Sequence, residues 1–307
     1  MTEDRNPYLI IAGVTRAGTT SLFNYLSAHP NVQPSTIKET RFFMDTDELR
    51  RLHRYEEGLE AYARYFPNAP AGAVRLEATP DYVYRAEAAR RIGASLPNTQ
   101  VVIVLREPIS RLISWRKYAI QNGLLDADTT LHEYIQMQWE AEASGRSMPQ
   151  HLRALREGRY SRYLRPWIDQ FGEERLLIIN YRDLVDRPGE VVRQVCDRAG
   201  LDAGFYADYR FEVHNASRRV RWPGVQNRYR ALIWRLKPYV HNRPVVRGVL
   251  RKVRRVSDRI VGRSSSGTTT ASNNDTLTVE DRRQLEAYYA HEPTELARLL
   301  NRDSWTW

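Results

Sequence analysis

Tyr8-Leu9-Ile10-Ile11-Ala12-Gly13-Val14-Thr15-Arg16-Ala17-Gly18-Thr19-Thr20-Ser21-Leu22 carries an apolar run into a glycine-bounded loop, and hydroxyl residues follow where a helix would open. Strand, tight loop and helix N-terminus in that order turn several backbone N–H groups toward one point, beside the positive end of a helix dipole. Such a point holds a phosphate. The plain alternative is a strand-to-helix turn with no ligand. A plain turn has no need of Gly, Arg, Gly, Thr, Thr and Ser together.

Gly13 and Gly18 have the spacing of the G-x-x-x-x-G-K-[ST] nucleotide loop, with Thr20 at its hydroxyl position. Thr19 stands where that loop has the lysine that reaches the β- and γ-phosphates. A cation stands inside the loop instead, at Arg16. The loop therefore suits a 5′-phosphate with an anionic group attached, and provides poorly for a γ-phosphate.

Outward from this stretch, strand and helix signals alternate. Tyr8–Ala12, Ala73–Glu77, Val101–Leu105 and Leu176–Asn180 read as short buried strands. Thr19–His29, Arg85–Leu96, Pro108 to about Gly123, Leu131–Ala143, Tyr160–Phe171, Pro188–Ala199 and a last helix through Tyr289 read as helices. A Thr-x-x-Asp box at Thr278 and Asp281 opens the last of them. The alternation predicts an α/β fold, a central parallel sheet flanked by helices, in a single domain over 1–307. Within it, 224–263 reads as a basic helical segment and 264–278, rich in Ser, Thr, Asn and Gly, as a flexible loop.

A second constellation lies in Val101-Val102-Ile103-Val104-Leu105-Arg106-Glu107-Pro108-Ile109-Ser110-Arg111-Leu112-Ile113-Ser114-Trp115. Arg106 ends a buried strand and Ser114 follows within the next helix. That pair can pinch a second phosphate, because ligands of open α/β sheets bind at the carboxyl edge; a surface ion pair is the alternative for Arg106. Arg111 reads as structural or solvent-facing. A third constellation is Lys38-Glu39-Thr40-Arg41-Phe42-Phe43, where a lone carboxylate sits among cations that would keep it ionised. Its alternative is an ordinary Glu–Lys surface pair.

The net charge is +10, a field that attracts anions. From Arg228 to Arg263 twelve Lys and Arg face one acid, Asp258, so a peripheral contact with membrane or substrate competes there with a solvated helical face. The single cysteine, Cys196, excludes an intrachain disulfide and a cysteine-based metal site, and its apolar surroundings predict a buried structural thiol. With no apolar run of transmembrane length and a polar Met1–Asn6, a cytoplasmic protein is expected. The seven histidines form no ligand spacing, no Gly-x-Ser-x-Gly elbow appears, and no nucleic-acid-binding motif accompanies the charge.

Thr15 to Leu22 resembles the 5′-phosphosulfate loop of sulfotransferases that use 3′-phosphoadenosine 5′-phosphosulfate (PAPS). The carbohydrate branch usually has lysine at the Arg16 position and the tyrosylprotein branch arginine, which leaves the branch open. Arg106-Glu107-Pro108 with Ser114 is similar to the family's 3′-phosphate element. Glu39 matches the glutamate that takes the proton from the acceptor hydroxyl, in both the Lys-Glu-x-x-Phe-Phe and the Glu-Glu-Thr-Arg forms. Glu77-Ala78-Thr79-Pro80-Asp81-Tyr82 resembles a stretch lining the acceptor pocket, with Ala78 replacing a lysine; a structural role at a strand end is the equal alternative for Glu77. Tyr181 resembles an adenine-contacting tyrosine, with helix packing as its alternative. Arg218 and Arg219 lie in a segment like the late basic loop that closes over the cofactor.

The resemblance spans Tyr8 to about Trp222 and implies a P-loop-like sulfotransferase fold. It implies a 5′-end grip by Arg16, Ala17, Gly18, Thr19, Thr20 and Ser21, and a 3′-end grip by Arg106 and Ser114. Arg16 would also act as electrophile beside the bridging oxygen, and Glu39 as base. PAPS would be the donor and adenosine 3′,5′-bisphosphate (PAP) the product, with no metal. The acceptor would be a hydroxyl of a carbohydrate, glycolipid or secondary metabolite. The rival readings are a P-loop-type small-molecule kinase and a non-catalytic module that docks on anions or membrane.

Overall fold

The computed structural model describes residues 7–45, 53–67, 69–212 and 275–307. Strands β1 (Tyr8–Gly13), β2 (Val32–Pro34), β3 (Val74–Ala78), β4 (Thr99–Leu105) and β5 (Leu176–Asn180) form one sheet in the order β2-β3-β1-β4-β5. Every pairing is parallel. All six residues of β1 are buried, as expected of a central strand covered on both faces. Burying each Leu or Ile there stabilises by roughly 1.5–3 kcal/mol.

The helices are α1 (Thr19–Ser27), α2 (Leu59–Ala63), α3 (Ala86–Ser95), α4 (Pro108–Gln121), α5 (Leu131–Ser144), α6 (Ser161–Arg175), α7 (Tyr181–Asp186), α8 (Pro188–Ala199), α9 (Val279–Tyr289) and α10 (Glu292–Leu299). Among the described residues the expected strands and helices are present, with ends that coincide or shift by up to four residues. Four elements lie beyond them: β2, three residues long with a proline, the five-residue α2, the six-residue α7 and the eight-residue α10.

The described residues divide into two compact units. The first comprises 7–45, 53–67, 69–111, 157–212 and 289–307, and holds the whole sheet; the second comprises 112–156 and 275–288. The division falls within α4, after Arg111. In the second unit, His132 Nδ1 lies 3.0 Å from Asp281, and at the predicted box the Asp281 N–H donates to Thr278 Oγ1 at 3.0 Å while that hydroxyl donates to the Asp281 carboxylate at 2.7 Å. Asp275 is held by Arg116 and Lys117, so the end of the loop expected over 264–278 is anchored. Residues 264–274, the basic segment 224–263, Arg218 and Arg219 lie outside the described residues.

In the first unit, strand order reverses at β1: the chain goes to the β3 side first and then to β4 and β5. The carboxyl edge beside β1 is therefore the crevice where such sheets take ligands.

Candidate functional site at the carboxyl edge of the sheet

The loop after β1 stays on the sheet for one more residue, since Val14 N–H donates to the Val104 carbonyl at 2.9 Å. It then turns through Arg16, whose φ of 68° is left-handed, and Gly18, whose φ is 75°. A left-handed arginine costs of order 1–3 kcal/mol, and such strain gathers at ligand sites. Gly18 is the N-cap of α1, and no side chain caps the helix. The first-turn amides of Thr19 and Thr20 are left facing the loop, an anion-binding arrangement. A Cβ on Gly18 would lie 3.0 Å from the Tyr181 ring and 3.1 Å from Leu184, so only glycine fits. Thr19, Ser21 and Ala17 are buried, and Thr20 and Arg16 are half-buried.

A buried ion pair braces this loop from beneath. Arg111, fully buried, pairs with Glu157 at 3.1 Å. Its Nε donates to the Thr15 carbonyl at 3.0 Å, and its Nη2 donates to Thr15 Oγ1 at 3.2 Å and Tyr84 OH at 2.7 Å. Of the two readings open for Arg111, the structural one holds. Burial raises the Tyr84 phenol well above its usual range, so it stays neutral beside this pair. Glu157 and Tyr84 are parts of the brace that the sequence did not signal, because their link to Arg111 exists only in the fold.

Arg106 leaves β4 beside the same loop. Its Nη1 donates to the Arg16 carbonyl at 2.9 Å, and its guanidinium lies 4.6 Å over the Tyr181 ring. Its own carbonyl accepts from Tyr160 OH at 2.6 Å. Arg106 Nε is buried and has no hydrogen-bond partner. A buried guanidinium N–H without an acceptor is costly, and an anionic oxygen would satisfy it. Thus Arg16, Gly18, Arg106 and Tyr181 are brought together. Ser114 is half-buried on α4 and belongs to the second unit. Glu107 caps α4 by accepting from the N–H groups of Ile109 at 2.8 Å and Ser110 at 2.6 Å.

The Glu39 segment reaches this edge on the other side of β1. Ala78 N–H donates to the Lys38 carbonyl at 3.3 Å, which pins the turn beside the end of β3. The Glu39 side chain is 43% exposed, 3.4 Å from both Lys38 Nζ and Arg41 Nη2. Arg41 is buried, has a left-handed φ of 53°, and pairs with Asp81 at 3.0 Å. Phe42 and Phe43 enter the core.

Below them Glu77 is fully buried among hydroxyls. Thr40, Thr79 and Tyr82 donate to its Oε1 at 2.5, 2.6 and 3.0 Å, and Tyr62 to its Oε2 at 2.6 Å. Burial raises its pKa and the four hydroxyls oppose the rise. Glu77 thus takes the structural alternative, and Ala78 beside it is buried as well.

Chemically, this edge offers an anion-binding loop with a cation, a second cation with an unsatisfied N–H, and an exposed carboxylate in the turn beside the end of β3.

Residues 6–213 match a family model described as Sulfotransferase domain. Human heparan sulfate glucosamine 3-O-sulfotransferase 6 is 30% identical over 211 residues, covering 64% of this chain and 53% of that protein. Human bifunctional heparan sulfate N-deacetylase/N-sulfotransferase 3 is 27% identical over 207 residues, covering 63% of this chain and 22% of that one. The chain therefore spans about half the length of the first and about a fifth of the second. The crystal structure of a sulfotransferase from Alicyclobacillus acidocaldarius has the same fold, with a TM-score of 0.65 at 20% identity over 97% of each chain.

Proposed function

The chain belongs to the sulfotransferase domain family, and from that premise we propose that it moves a sulfuryl group from PAPS to a hydroxyl of a carbohydrate, glycolipid or secondary-metabolite acceptor. The observation that carries this reading is the convergence on one sheet edge of an uncapped helix N-terminus, the unsatisfied Nε of Arg106 and the exposed carboxylate of Glu39. When bound, the donor supplies a sulfuryl group on a phosphate leaving group.

The protein's own residues do the rest. Backbone amides and hydroxyls from Gly18 to Ser21 hold the 5′ end. Arg16 would supply a fixed cation to the leaving oxygen, which favours the transition state over the ground state. Arg106 would take the 3′-phosphate. Tyr181, already under Arg106, flanks the nucleotide. Glu39 accepts the acceptor's hydroxyl proton on its carboxylate.

A kinase reading is weaker, because Thr19 occupies the position of the phosphate-binding lysine. Relatives named for heparan sulfate support a glycan acceptor, while Ala78 in place of a lysine argues for one carrying less negative charge. The buried Cys196 supports a cytoplasmic setting, and the charge of 224–263 supports peripheral membrane contact.

The test combines Glu39→Gln with calorimetry. PAP release from PAPS is measured over a panel of desulfated glycans, glycolipids and alcohols. Glu39→Gln should lower kcat by about 10²–10⁴-fold while PAP affinity is kept. Intact turnover in that variant would overturn the base assignment, and tighter binding of ATP than of PAP would overturn the donor.

A further inference from the structure

The turn that carries Glu39 hangs from Glu77 through hydroxyls that face two ways. Thr79 Oγ1 donates to Glu77 and accepts from Arg41 N–H at 3.2 Å. Thr40 Oγ1 donates to Glu77 and accepts from Phe42 N–H at 3.3 Å. Tyr82 OH donates to Glu77 and accepts from Phe43 N–H at 3.3 Å. Three consecutive amides thus end on three hydroxyl oxygens, and all three protons end on one carboxylate oxygen.

A hydroxyl has a single proton, and an ionised carboxylate only accepts. An acceptor at the centre therefore sets the direction of each link: the proton points inward and the lone pairs outward, toward the backbone. Arg41, held in this way, places its guanidinium between Asp81 at 3.0 Å and Glu39 at 3.4 Å. The anchor itself sits on rigid structure, since Glu77 pairs in register with Ile10 of β1. Tyr62 closes the cage from α2 and packs on Phe42 and Phe43, with ring centroids 4.9 and 4.8 Å apart.

We propose that Glu77 is a positioning residue for the transfer reaction: by orienting the hydroxyls of Thr40, Thr79 and Tyr82 it fixes the Arg41–Phe43 backbone and, through Arg41, the Glu39 carboxylate. This rests on the reading of Glu39 as the base. Glu77 does not touch the reacting atoms, being wholly enclosed.

The experiment uses Glu77→Gln, Thr79→Val and the double variant in the full chain. In Glu77→Gln an NH2 group replaces one acceptor oxygen, so it reverses either the Tyr62 link or those of Thr40, Thr79 and Tyr82, and the remaining neutral oxygen accepts more weakly than a carboxylate. Thr79→Val keeps the shape and removes the Arg41 link together with one of the four hydroxyl donors to Glu77, leaving the Phe42 and Phe43 links in place. Amide hydrogen exchange at Arg41–Phe43 should speed up several-fold in each variant, with β1 amides unchanged. On the most active acceptor of the panel, kcat should fall about 10- to 100-fold while KM for PAPS and PAP affinity stay within about twofold. The double variant should be little worse than either single, as expected for residues acting as one unit.

Unchanged exchange at this turn in a folded Glu77→Gln or Thr79→Val protein overturns the anchor. So does PAP affinity that falls in step with kcat, or effects on kcat that multiply in the double. Full turnover in Glu39→Gln is a separate failure, which refutes the base and leaves the exchange result standing. Thr79→Val keeps the question decidable if Glu77→Gln does not fold.

Discussion

Replacing Arg111 by methionine separates stability from ligand binding in this fold. The guanidinium is fully buried and its partner Glu157 has a side chain 4% exposed, 3.1 Å away. Removing one member of such a pair leaves the other as an uncompensated buried charge, at a cost of about 3–5 kcal/mol. A unit of this size shifts its melting temperature by roughly 2–4 °C per kcal/mol. Calorimetry should therefore show Arg111→Met melting roughly 6–20 °C lower.

The double variant Arg111→Met with Glu157→Leu removes both charges and should recover at least half of that loss, since apolar replacement of a buried pair is often neutral. PAP affinity should behave otherwise. The Thr15 carbonyl and hydroxyl lose their donors in both variants, and two lost hydrogen bonds at about 1 kcal/mol each predict affinity weaker by about 5- to 30-fold. The double should regain stability and not affinity. A melting shift under about 3 °C in Arg111→Met, or a double variant as unstable as the single, would refute the argument.

Arg106→Ala should weaken PAP binding well beyond that of AMP, which has no 3′-phosphate and feels only the lost contacts to the Arg16 carbonyl and Tyr181; equal losses for both nucleotides in calorimetry would contradict the role given to Arg106. Burial pushes the Cys196 thiol up to about 11, so at pH 8 only about one molecule in a thousand is thiolate. Iodoacetamide should leave the native protein unlabelled and modify it quickly in guanidinium, with native labelling still rising above pH 9; prompt native labelling at pH 8 would count against burial.

The phosphate loop was legible because its requirements are local. An apolar run makes β1, a left-handed position needs Gly18, and hydroxyl residues open α1. The same holds for β5 and α8, whose ends coincide with the sequence reading because Gly200 and the apolar Leu176–Ile179 mark them. The edge strand β2 was invisible: three residues ending in proline have no periodicity, and β2 exists through its pairing with β3.

Arg111 and Glu77 were ambiguous for a related reason. A charged side chain after a strand or on a helix reads as exposed, and what makes burial tolerable arrives from far along the chain. For Arg111 that is Glu157 and Tyr84; for Glu77 it is Thr40 and Tyr62. Polar satisfaction of this kind is a property of the fold, which no window of sequence contains.

The strand order has a practical consequence. On the proposed assignment, the parts that hold the nucleotide, following β1, β4 and β5, lie to one flank of the central strand, and the turn bearing Glu39, following β2 and bonded to β3, lies to the other. A laboratory wishing to retarget the catalyst to a different alcohol can vary exposed positions of 35–45 and 53–67 on that second flank. Glu39 and the cage around Glu77 are the pieces of that flank to be carried over intact.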